Sequence, residues 1–143
     1  MRMPAIAPVR GSQVTPRQRD TLRTLGALQE GEDITLFYAT GMFSIKGGGV
    51  LITDSRLVVY GEGAQIEQCP LADISAIEFT GAGSVFVEGR FLLDVESGDL
   101  ITFAVTGQED GDNLFHRVLT RSVTEAGQAA GNPKPLSKLP PVK

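Results

Sequence analysis

The side chains able to do nucleophilic chemistry are few. Cys69 and His116 are the one cysteine and the one histidine among 143 residues, so they form the only thiol–imidazole pair available. A thiol dyad needs the thiolate held against the imidazole, commonly with a third group orienting the base. Cys69 precedes Pro70 in a strand-like run and His116 falls on the polar face of a helical stretch, so nothing in the sequence brings them together. The expectation is a structural cysteine and an exposed histidine. Glu109-Asp110-Gly111-Asp112-Asn113 has the acidic character of a calcium loop. Leu114 takes the next ligand position, however, and no Glu arrives at the twelfth, so helix capping accounts for the cluster. Gly81-Ala82-Gly83-Ser84-Val85 runs on into Phe86 and Val87 at strand period. Without a helix N-terminus after it, that run makes no phosphate cradle. A lone Cys and a lone His also exclude a disulfide framework and an ordinary structural zinc site. No catalytic residue, metal or cofactor is expected, and the chain does not read as an enzyme.

Two features suit binding better. Residues 41–49 carry Met42, Phe43, Ile45 and Lys46 before three glycines. The apolar three either form an exposed tip that enters a membrane interface or a partner's groove, or continue a strand into the core. Their alternate spacing favours the core. Thr53-Asp54-Ser55-Arg56 is a tight turn between two apolar runs, and Arg56 is expected to pair with Asp73 across neighbouring strands. Thr53, Asp54, Arg56 and Asp73 thus read as a structural motif.

The charge distribution limits the partners. A net charge of −4 divides into +4 over residues 1–29, −12 over 30–112 and +4 over 113–143. The middle segment has only Lys46, Arg56 and Arg90 as bases. Such a body is poorly suited to nucleic acid or polyphosphate, and an anion would be met at the basic ends instead. No apolar run reaches the roughly 18 residues of a spanning helix. Pro4 and Pro8 interrupt anything like a signal-peptide core, so a cytoplasmic location is expected.

The elements that must carry these residues follow from periodicity. Residues 1–14 read as a flexible arm, 15–126 as one folded domain, and 127–143, with four prolines and three lysines, as a disordered tail. Thr15-Pro16-Arg17-Gln18 is a helix start with a hydroxyl cap, proline first and glutamine reaching back. Leu22, Leu25 and Leu28 supply its apolar stripe, and Gly31 is the expected stop. The period then becomes two. Strands are expected at 34–39, 50–53, 57–60, 65–69, 74–80, 85–88, 90–96 and 100–105. A last helix begins near Asp112, with Leu114, Phe115, Val118, Leu119 and Val123 on one face. Short antiparallel strands without intervening helices make a mainly β protein.

Leu28-x-x-Gly31-Glu32, the run Val50-Leu51-Ile52-Thr53-Asp54-Ser55-Arg56-Leu57-Val58-Val59-Tyr60, and Pro70-Leu71-x-Asp73-Ile74-x-x-Ile77 follow one another in order. In these motifs, and over roughly residues 20–125, the chain resembles a bacterial pleckstrin-homology-like domain of the type related to GRAM domains. The resemblance implies a PH-like barrel of two near-orthogonal antiparallel sheets, about seven or eight strands, with a C-terminal capping helix. Relatives typically keep a tryptophan in that helix; here there is none, and Phe115 is expected to fill its place. Phosphoinositide-binding members resemble one another in a basic cluster at the first hairpin, where this chain supplies only Lys46. The expected function is therefore a non-enzymatic module that engages a protein or peptide partner or self-associates as a homo-oligomer. The alternative is weak contact with anionic membrane lipids through the basic ends and the 41–49 loop. No nucleic acid is expected.

Overall fold

The computed structural model describes residues 7–40, 45–61, 66–82 and 88–129. Thr15 caps helix α1 (Pro16–Leu25) as its sequence requires: its hydroxyl accepts from the Gln18 amide at 3.1 Å, and the Gln18 side chain accepts from the Thr15 amide at 2.9 Å. The helix ends sooner than expected. Gly26, at φ +86°, adopts the left-handed cap, and Gly31, at φ +75°, shapes a later turn. Leu28, expected on the helical stripe, is buried from this following segment instead.

Among the described residues, eight antiparallel strands form two sheets. The first orders β1 (Val9–Arg10), β2 (Ile34–Ala39), β3 (Gly48–Thr53), β4 (Arg56–Gly61) and β5 (Ile66–Pro70) in sequence. The second orders β6 (Ile74–Thr80), β7 (Glu88–Val95) and β8 (Leu100–Thr106). In register, Leu51 faces Val58 in the first sheet and Phe91 faces Phe103 in the second. The sheets are not closed into a barrel; each ladder ends within its own sheet among the described residues. The Tyr38 hydroxyl, accepting from the Thr106 amide at 3.2 Å, is one link between them.

The two faces of β3 explain its unbroken apolar run. Val50 and Ile52 enter a main core shared with the second sheet, while Leu51 enters a second core beneath α1. All six β3 residues are buried. A strand covered on both sides cannot alternate polar with apolar. The second core also takes Leu22, Leu28, Phe37 and Val58.

Helix α2 (Gly111–Ala129) covers the main core. Phe115 and Leu119 are wholly buried, with Val118 and Val123 nearly so. Phe115 packs edge-on against Phe91 and Phe103 at centroid distances of 5.5 and 5.4 Å. The helix starts one residue earlier than expected, after a 3-10 turn (Gln108–Asp110) in which Glu109 and Asp110 take φ +54° and +61°.

Two further expectations are corrected. The part of the supposed arm that is described does not float. Val9 and Arg10 pair with Phe37 and Leu36, and Val14 is buried. Proline-rich composition concealed this because β2 offers an edge that needs covering, and two residues suffice. Gly11 permits the approach, since a Cβ there would lie 1.7 Å from the Ile34 carbonyl oxygen. Of the expected strands 85–88 and 90–96, residues 85–87 lie outside the described residues, and no break separates Glu88 from the second: β7 (Glu88–Val95) runs through Gly89. Residues 1–6 of the arm and 130–143 of the tail lie outside the described residues.

Candidate functional site

Arg56 opens β4, and period two places it on the same face as Val58 and Tyr60, beneath the α1 side of the sheet. Glu32 meets it there. The guanidinium donates from Nε to Glu32 Oε2 at 2.8 Å and from Nη2 to Oε1 at 2.7 Å, a two-pronged pair. Nη2 also donates to the Ala27 carbonyl at 3.2 Å, and Nη1 donates to the Gln68 side chain. Glu32 further accepts from the Gln29 amide at 2.9 Å and from the Thr53 hydroxyl at 2.8 Å. The expected Arg56–Asp73 pair does not form. Asp73 closes the 3-10 turn Leu71–Asp73 that leads into the second sheet, away from the α1 face, and its carbonyl accepts from the Glu96 amide.

Burial alone would raise the Glu32 carboxyl. Burial is the largest single influence, but the hydrogen bonds from Arg56, the Gln29 amide and the Thr53 hydroxyl, together with the Arg56 charge, outweigh it and bring the pKa down to about 2. The same bond raises the Arg56 pKa against its own burial. Five donors, counting the Ser55 hydroxyl at 3.5 Å, occupy the two carboxylate oxygens, so Glu32 is not disposed to abstract protons. Thr53 also accepts from the Ser55 and Arg56 amides at 3.1 and 2.9 Å, holding the turn in which Asp54 is exposed. The cluster pins the α1–β2 connection to the β3–β4 hairpin. Sequence reasoning missed the role of Glu32, although it stands in the Leu28-x-x-Gly31-Glu32 motif; the signal was an acid after a glycine turn facing a hairpin with one arginine.

The nucleophile candidates stay apart. Cys69 lies buried in β5, and burial, with the Asp73 charge, pushes its thiol up to about 11. His116 is half-buried rather than exposed as expected: its ring stacks on Phe79 at 4.4 Å, on the second sheet, and burial lowers its pKa. In the acidic run, Asp110 accepts from the Asn113 side chain at 2.6 Å. Asp112 accepts from the Ala82 and Asn113 amides at 2.7 and 2.9 Å, tying α2 to the end of β6 rather than capping the helix. Among the described residues no group of His, Cys, Asp or Glu is arranged to hold a metal ion. The remainder of the Gly81-to-Val85 run, residues 83–85, lies outside the described residues.

Of the loop candidates, Met42 and Phe43 lie outside the described residues. Ile45 opens the 3-10 turn Ile45–Gly47, where Lys46 is exposed, and α1 packs against this turn.

A concavity the sequence did not announce lies where β5 meets the β7–β8 turn, with a volume of about 470 Å³. Ile66, Leu100 and Ile101 give it apolar surface, and Glu67, Asp73 and Asp99 give it negative charge; no lysine or arginine lines it. β5 is the last strand of its sheet and is hydrogen-bonded on the β4 side alone among the described residues. Leu100 is 57% exposed, the one large hydrophobic residue so placed among those described. A second, shallower concavity of about 420 Å³ covers the outer face of the other sheet, with Glu78 and Arg90 among its lining residues. No helix among the described residues is long and apolar enough to cross a membrane.

No family model matches the sequence, and no curated protein does. Among solved structures, the fold is similar to that of a DUF1696 family protein with a pleckstrin-homology domain from Shewanella loihica PV-4. The TM-score is 0.54 at 14% identity, over 82% of this chain and 96% of that one. The fold is thus pleckstrin-homology-like, in agreement with the strand and helix order expected from the sequence.

Proposed function

We propose that the chain is a non-enzymatic pleckstrin-homology-like binding or assembly module of the cytoplasm, related to the GRAM type, that engages an extended peptide or a second copy of itself along the β5 edge. The observation that supports this most is the combination, in one groove, of a strand edge left unpaired among the described residues and the exposed Leu100. A free edge supplies main-chain donors and acceptors to an added strand, and a neighbouring apolar pocket selects its side chains. The carboxylates with buried partners are already committed to structural bonds, which leaves recognition to the surface. Light scattering on the purified protein tests the self-association arm. A defined oligomer that Leu100→Asp reduces to monomer supports the reading. A monomer that also captures no peptide from an extended-peptide library overturns it.

A second reading, peripheral contact with anionic lipid, draws on one observation. Helix α1, which carries Arg17, Arg19 and Arg23, packs against the Ile45–Gly47 turn and so adds positive charge beside Lys46. Salt-sensitive sedimentation with phosphatidylserine vesicles, weakened by Arg17→Glu and Lys46→Glu together, supports it. Equal recovery with neutral and anionic vesicles overturns it.

A further inference from the structure

The groove beside β5 has a chemical signature narrow enough to name what it takes. Its lining includes Glu67, Asp73 and Asp99 and no lysine or arginine. Ile66, Val95, Leu100 and Ile101 give it aliphatic surface beside Gln68 and Ser97, and one side is β5, hydrogen-bonded on its β4 side alone among the described residues. The complement is a basic, extended segment with aliphatic side chains between its charges. Residues 130–143 of this chain have that composition: Lys134, Lys138 and Lys143 with Leu136, Leu139 and Val142, and no acid after Glu125. Pro135 and Pro140 bracket Leu136-Ser137-Lys138-Leu139. Proline favours an extended backbone, and the four residues between keep the amides that a strand edge requires.

The topology brings this segment to the groove. Asp112, in the first turn of α2, holds the Ala82 amide just past the end of β6. The same helix packs against the turn Leu71–Asp73, just before the start of β6. These two points lie about 20 Å apart along a seven-residue strand, so α2 runs back along β6 and its later turns reach Leu71–Asp73. Asp73 belongs to that turn and also lines the groove. The chain beyond Ala129 therefore starts near one end of the groove. Fourteen residues, 130–143, extend up to about 45 Å, more than enough to follow the five residues of β5.

We propose that the groove between β5 and the β7–β8 turn is occupied in cis by the chain's own C-terminal segment, residues 130–143, laid along the β5 edge with its lysines against Glu67, Asp73 and Asp99. This rests on the reading of that edge as a peptide-binding surface and makes the tail its resident competitor. An outside partner must then displace a tethered ligand, whose effective concentration reaches the millimolar range.

The test compares the full chain with a full-length variant carrying Lys134→Glu, Lys138→Glu and Lys143→Glu, changes that touch none of the described fold. A fluorescent synthetic peptide with the sequence of residues 130–143 is titrated into each and followed by anisotropy. The expected result is binding at least about tenfold tighter to the variant, whose own tail no longer competes. In the variant, the amide resonances of Glu67, Gln68, Asp99 and Leu100 should also move, and Leu100→Glu should weaken the peptide in both backgrounds. Equal affinity for both proteins overturns the resident tail while the peptide-binding reading stands. Binding to neither overturns the tail as ligand and leaves that reading to the light-scattering measurement. A wild-type protein whose mass doubles with concentration while the variant's does not places the tail in a second copy and overturns the cis arrangement.

Discussion

Arg56 grips Glu32 with two parallel bonds of 2.7 and 2.8 Å, joining the α1–β2 connection to the β3–β4 hairpin. The side chains are 11% and 5% exposed, so the pair is close to buried. A buried pair of this kind adds little over a well-packed apolar pair, but removal of one partner leaves an uncompensated charge. Arg56→Ala should therefore lower the unfolding free energy by about 3 kcal/mol. The Arg56→Met, Glu32→Leu double variant should recover more than half of that loss. Urea unfolding followed by circular dichroism of the three proteins checks both statements. A double variant as unstable as the single one would mean that the loss came from packing of the arginine stem.

The same pair sets a pH window. The folded-state pKa of Glu32 lies near 2 against an ordinary 4.5, so the folded state binds the proton less readily than the unfolded chain. Its contribution is complete above pH 5 and is lost as the pH falls through about 2. A depression of that size corresponds to about 3 kcal/mol. Unfolding free energies measured between pH 7 and pH 2 should fall steeply for the wild type. Glu32→Gln should start lower and show a shallower slope over the same range.

Gly89 and Asp112 form a second dependent pair. A Cβ on Gly89 would sit 2.6 Å from both Cβ and Oδ2 of Asp112, which is itself 2% exposed and held by the Ala82 amide. Gly89→Ala should destabilise by about 2 kcal/mol through overpacking. In the Asp112→Gly background the added cost should fall to a few tenths, because both the Cβ and the carboxylate that the new methyl would meet are gone. Thermal unfolding of the four proteins of this cycle measures the coupling; strictly additive losses would contradict the contact.

What was legible in the sequence and what was not divide along a physical line. Thr15-Pro16-Arg17-Gln18 announced the start of α1 because a cap is local chemistry, complete within four residues. The strand runs and the apolar face of α2 were likewise readable, since periodicity is carried along the chain. The partner of Arg56 was not. Asp73 and Glu32 are both acids near glycine or proline turns, and the choice between them depends on which face of β4 receives α1. The same holds for Gly89, whose role as a recess for Asp112 exists only once α2 lies on the sheet, so that a break between strands was the natural local reading. The groove escaped notice for the same reason: Glu67, Asp73 and Asp99 are scattered in sequence and share a wall only where β5 meets the β7–β8 turn.

Cys69 offers a probe of the wall between groove and core. It lines the groove through its place in β5, yet it is only 5% exposed and packs with the main core. Burial and the charge of Asp73 push its thiol up to about 11, so at pH 8 the reactive thiolate is scarce as well as covered. The native protein should react with a bulky disulfide reagent such as dithiobis-nitrobenzoate at least about a hundredfold more slowly than the urea-unfolded chain. Loss of the Glu32–Arg56 pair should raise that rate only to the extent that it raises the unfolded population, because the pair lies on the opposite face of the first sheet. Leu100→Asp should leave the rate almost unchanged, since Leu100 is exposed and its replacement opens no path to the core. Fast labelling of the native wild-type protein would show instead that the β5 wall opens independently of global unfolding.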